Sequence, residues 1–157
     1  MDGTLSDAEL RRRYGRWLQG LPEFLRLMPA EGTVELFDDS AGRELTGLRL
    51  FTPASSAEID WEVHAFLAQH SASGDDEVAA HVASAMAPHV AENRRVAVVW
   101  TTSLPIAVFS AEQVVRHALD IVTASGTLWL QPLGGGALVE VQADGRVTTG
   151  VAADPRR

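Results

Sequence analysis

The sequence predicts an α+β fold: a mainly antiparallel sheet of six or seven strands with helices packed chiefly on one face. Three observations predict it. Short segments that alternate apolar and polar residues recur along the chain, bounded by Gly, Pro, Asp and Ser. Other segments carry apolar residues at helical spacing, and several of these open with a capping box. The chain is 157 residues long and 46% apolar, which suits one domain with its own core. We therefore expect a single domain over residues 1–157, with a short flexible tail from about residue 153.

The elements follow in order. Ser6 and Glu9 form a capping box, and Leu10, Tyr14, Trp17, Leu18 and Leu21 continue as one helical stripe. Gly20 fits the end of that helix, and Pro22 begins a second, short one. Arg11, Arg12, Arg13 and Arg16 cluster around the first helix and read as a solvated face. Residues 33–39 and 44–52 alternate on either side of a turn-rich stretch and predict an antiparallel hairpin. After Pro53, Ser55 and Glu58 cap a predicted helix running to about Ser71, with Ile59, Val63, Phe66, Leu67 and His70 on its core face. A further helix carries Val78, Val82, Ala85 and Met86 as its stripe, and Pro88 should end or kink it.

Residues 94–102 are apolar on both alternating sets, the pattern of a central strand buried on both faces. A short strand follows at 106–110. Ser110 and Gln113 then cap one predicted helix, which Gly126 closes. Three more strands fill 127–151. Gly134 to Gly136 make the first turn between them, and Asp144-Gly145 reads as a type I′ hairpin turn.

The three consecutive glycines do not read as a phosphate loop. Such a loop needs a helix after it, so that backbone amides and the helix dipole converge on the anion. Here the following residues alternate as a strand, and the chain contains no lysine.

Composition excludes several chemistries. All 13 cationic side chains are arginines, so no lysine Schiff base or P-loop lysine exists. The absence of cysteine removes thiolate nucleophiles and zinc–thiolate sites. A net charge of −8 argues against nucleic acid as a partner and favours a cationic one. The longest uninterrupted apolar run, Val96 to Trp100, falls far short of the ~20 residues that span a membrane. With no signal-peptide pattern either, the expected compartment is the cytoplasm.

Candidate site residues sit on the helix predicted over 55–71. At ~100° per residue from Ile59, Trp61 falls at about 200°, beside Ala65 and Ala68 and opposite the core stripe. A tryptophan with small neighbours has the composition of an interface anchor, so Trp61, Ala65 and Ala68 are the expected partner-binding residues, most simply in a homodimer. Asp60 and His64 lie four residues apart, the spacing at which a carboxylate orients an imidazole. They form, with His117, the alternative acid–base set. Glu77 and His81 repeat the spacing, and His117 and Asp120 lie three apart. These groups flank their stripes, so neither a metal nor a cofactor is expected. The leading expectation is a non-catalytic, acidic partner-binding protein of the immunity, antitoxin or secretion-chaperone type. The alternative is a small-ligand binder or enzyme using a histidine–carboxylate pair in a pocket.

Overall fold

The structure, a computed structural model, describes Ala8, Arg12 and residues 35–37, 65–100, 106–124, 126–134 and 136–151. Ala8 and Arg12 are helical, in agreement with the first expected helix. The described elements are β1 (Glu35–Phe37), β2 (Ala65–Ser71), α1 (Asp75–Val90), β3 (Arg95–Val99), β4 (Ile106–Ser110), α2 (Ala111–Arg116), α3 (Ala118–Thr123), β5 (Leu128–Pro132), β6 (Ala137–Val141) and β7 (Arg146–Val151). The fold is α+β. Among the described residues one sheet of seven strands runs in the order β1-β4-β3-β5-β6-β7-β2, with every neighbouring pair antiparallel.

The period-two pattern sets the register. Val96, Val98, Phe109, Leu128, Leu130, Val139, Val141 and Val147 share one face, where they pack against α1, α2 and α3 in a single core. Val82 and Met86 of α1 are fully enclosed there. The alternate residues Ala97, Val108, Trp129, Leu138 and Glu140 are buried on the other face as well. β3 is therefore an interior, doubly buried strand, as its sequence announces, beside β5 in the middle of the described sheet.

Caps place the helix ends. The Ser110 hydroxyl accepts the Gln113 amide at 3.1 Å, and the Gln113 side chain accepts the Ser110 amide at 2.9 Å. This capping box fixes the sharp passage from β4 into α2. The helix expected over 111–125 is two short helices, because His117 leaves helical geometry at φ −109°, ψ 23°. The Trp100 indole donates to the Ile121 carbonyl at 3.0 Å and ties α3 to the sheet. Pro88 does not itself end α1; it lies within the last turn, two residues before the helix closes at Val90. The chain leaves α1 through Asn93 at φ 53°, with Arg94 N–H donating to the His89 carbonyl and Asn93 N–H to that of Val90. That is the Schellman pattern, and asparagine tolerates its left-handed position better than most residues.

Two expectations need correction. Residues 65–71 are not helix: they form edge strand β2, paired with β7 from Ala65↔Val151 to Ser71↔Arg146. Ala, Leu and Gln favour helix only by tenths of a kcal/mol (about 0.7 spans ordinary residues). Pairing with the open side of β7 outweighs that preference. The hairpin at Asp144-Gly145 is also not type I′, which requires positive φ at both central residues. Only Gly145 is left-handed, at φ 92°, while Gly145 N–H donates to the Gln142 carbonyl at 3.0 Å and Gln142 N–H to that of Arg146 at 2.9 Å. The loop is a type I turn followed by a left-handed glycine, the three-residue hairpin form. The second arm of the expected early hairpin, 44–52, lies outside the described residues; on one side β1 pairs with β4.

Candidate interaction edge

Among the described strands β2 is the last in the sheet, so its outer row of amide and carbonyl groups faces away from every described strand. Edge strands are commonly protected by charged side chains, proline or bulges. β2 has neither charge nor proline in its seven residues. It does have a bulge: Phe66 opposes Gly150 and Ala68 opposes Thr149, which leaves Leu67 as the extra residue. Phe66 (54% exposed), Leu67 (65%) and Val151 (41%) gather at this end of the edge. Phe66 opposes Gly150 and Val151 opposes Ala65, so the two flank the edge from opposite faces of the sheet, with the bulged Leu67 between them in sequence.

The rest of β2 is regular and anchored on both faces. Gln69 donates from Nε2 to the Thr148 hydroxyl at 2.9 Å, beneath the sheet relative to α1. His70 points to the helical side, where its ring stacks on His81 of α1 with centroids 4.4 Å apart and planes 11° from parallel. At the far end Ala72 N–H donates to the Gly145 carbonyl at 2.9 Å. A side chain at Gly145 would run into the Ala72 carbonyl oxygen, so only glycine allows hairpin and strand end to meet.

Beyond Ser71 the chain turns acidic. Asp75, Asp76 and Glu77 occupy the first turn of α1 and are exposed. Glu77 Oε2 accepts the Ser73 amide at 2.8 Å, and that hydrogen bond is the main cause holding its carboxyl below the usual glutamate range. Asp144 is held low in the same way: Arg146 donates its backbone N–H to Oδ1 at 3.1 Å and Nε to Oδ2 at 2.8 Å. A hollow of about 200 Å³ lies between these segments, lined by Ser73, Gly74, Asp75, Val78, Val122 and Asp144 among others.

The sequence-derived site residues fall as follows. Ala65 and Ala68 lie in β2, so the helix face that grouped them with Trp61 does not extend to them; the strand edge groups them instead. Trp61, Asp60 and His64 lie outside the described residues. His117 is mostly buried between α2 and α3, with Nδ1 3.7 Å from Asp120 Oδ2. Glu77 and His81 lie on one side of α1, and the His81 ring stacks on that of His70. No group of three His, Cys, Asp or Glu side chains among the described residues is arranged to hold a metal ion.

Two polar features escaped the sequence reading. On the sheet face opposite the helices, the Trp129 indole donates to Glu140 Oε2 at 3.0 Å, both buried and directly opposed on β5 and β6. A carboxylate in an alternating strand gives no sign of such a partner until register is known. The glycine turn is likewise explained by a distant residue. Arg94 Nη2 donates to the Leu133 carbonyl at 2.7 Å, and a Cβ at Gly136 would stand 3.3 Å from Nη1. Gly134 and Gly136, at φ 93° and 101°, make the turn, and a strand follows it. The helix a phosphate loop requires is not there.

No protein-family model matches this sequence, and the curated proteins include no significant relative. No described helix is long and apolar enough to cross a membrane.

Proposed function

We propose that the protein is a non-catalytic binding module that acts in the cytoplasm and recognises another protein through the β2 edge. The observation that carries this reading is the strand β2, last among the described strands and without Asp, Glu, Arg or Lys, which has Phe66 and Leu67 exposed at one end beside the exposed Val151 of β7. An open strand edge offers main-chain hydrogen bonds to an extended segment, and apolar side chains beside it supply anchoring area. The acidic balance of the chain, −8, suits a cationic partner. Neutralising or chaperoning such a partner is the kind of task that immunity proteins, antitoxins and secretion chaperones perform; this comparison is one of surface character and not of fold.

Site-specific photo-cross-linking in the source cell tests the proposal. A photoreactive side chain at position 67 should give a discrete protein adduct, and one at Arg116 on α2 should not. Adducts at position 116 with none at position 67 would refute the assignment of the edge.

A further inference from the structure

We propose that His70 of β2 and His81 of α1 together form a binding site for a divalent transition-metal ion of tetragonal geometry, Cu(II) or Ni(II), with water completing its coordination. The rings lie 4.4 Å apart between centroids, with planes 11° from parallel. They come from separate elements. Sequence spacing joins His81 only to Glu77 and so predicts no metal site; the register of β2 on β7, with His70 opposite Val147, delivers the second imidazole. Neutral imidazole is a good ligand for both ions, and Cu(II) heads the affinity order of the divalent series.

The separation of the rings selects the kind of ion. With metal–nitrogen bonds of about 2.0–2.1 Å, two imidazoles on one ion have centroids about 4.5 Å apart at a right angle and about 5.2 Å apart at a tetrahedral one. The observed 4.4 Å matches the right angle, which neighbouring ligands make in tetragonal complexes. The ring planes must turn apart for a nitrogen of each to face one ion. That turn breaks no hydrogen bond of either ring among the described residues, and His70 is exposed while His81 is half-buried.

The surroundings favour a cation. Beyond the Ser73 hydrogen bond that mainly holds the Glu77 carboxyl low, the charge of His81 lowers it further, so the two groups lie within electrostatic reach. Neither β2 nor α1 carries an arginine or lysine to repel an ion. His89 and His117 are instead each held beside a carboxylate, with Nδ1 3.4 Å from Glu92 and 3.7 Å from Asp120, and His89 serves as a control. An ion bonded to both His70 and His81 would tie the edge strand to the helix.

Calorimetric titration of the metal-free full chain with Cu(II), Ni(II) and Zn(II) tests the site. The first two should bind at one principal site, and Zn(II) more weakly. His70→Gln and His81→Gln should each weaken binding at least about tenfold, while His89→Gln changes it less than about twofold. Saturating Ni(II) should raise Tm by at least about 3 °C and slow hydrogen exchange at Gln69–Ala72, because an ion bound only to the folded state stabilises it. Both effects should be lost in the His70→Gln and His81→Gln variants. Absence of binding, or binding that either of those substitutions leaves unchanged, overturns the proposal. So does tighter binding of Zn(II) than of Ni(II).

Discussion

Replacing Gly145 with alanine should be among the costliest single-methyl additions to this protein. Two effects add. At φ 92° an L side chain is strained by roughly 1–2 kcal/mol. The new Cβ also meets the Ala72 carbonyl oxygen, a backbone atom that cannot swing aside as a side chain can. Relief requires the strand end to shift and weakens the 2.9 Å hydrogen bond from Ala72 N–H to the Gly145 carbonyl, worth about 0.5–1.5 kcal/mol net. The reduced freedom of the unfolded chain returns about 0.4–1 kcal/mol. The net expectation is a loss of about 2–3 kcal/mol, with the steric shift included, or roughly 5–10 °C in Tm for a domain of this size. Urea unfolding measures the first quantity, and faster hydrogen exchange at the Ala72 amide localises it. Gly74 provides the control, because it is extended at φ −177° and a Cβ there meets nothing within 4 Å. A Gly145→Ala protein within about 0.5 kcal/mol of the parent, the range of ordinary surface changes, would refute this account of how the hairpin holds the edge.

Three further outcomes are expected. Gly74→Ser should stabilise the protein by a few tenths of a kcal/mol up to about 1, since α1 has no side-chain N-cap and serine supplies one; urea unfolding measures it. Trp100→Phe should cost about 2–3 kcal/mol, by removing the indole donor from the buried Ile121 carbonyl and leaving space beside Phe109; calorimetry checks it. Glu77 and Asp144 have depressed folded pKa values, so the stability they contribute is present above their unfolded pKa and disappears as pH falls through the folded one. Carboxyl titration by NMR should place both midpoints below the ordinary carboxylate range; a Glu77 midpoint at or above it would show that the Ser73 hydrogen bond does not persist in solution.

Much of the central sheet can be read from local pattern, and much of the edge cannot. β3 shows itself because both alternating sets are apolar, and the turn into α2 because Ser110 and Gln113 stand three apart in sequence. The meander of β5, β6 and β7 follows from alternation broken by glycine. β2 is different. Its residues Ala65, Leu67, Ala68 and Gln69 suit a helix, and the bond that helps settle the matter joins Gln69 to Thr148, 79 positions away. The stack of His70 on His81 and the Arg94 clasp on the glycine turn likewise depend on where separate elements come to rest. Ala65 and Ala68 were thus singled out on a helical projection, although a strand edge is what brings them beside Phe66 and Leu67. Nothing local distinguishes the two, since a seven-residue segment holds barely two helical turns.

The central claim, that partners are met at the β2 edge, is tested most directly by comparing two charge substitutions at similarly exposed leucines. Leu67→Lys lies on the edge, and Leu119→Lys lies on α3, where the parent side chain is 45% exposed. Affinity for the protein captured at position 67 should fall at least about tenfold in Leu67→Lys, the effect of roughly 1.4 kcal/mol. It should change less than about twofold in Leu119→Lys. Unchanged affinity in Leu67→Lys, or an equal loss in both, would contradict the account.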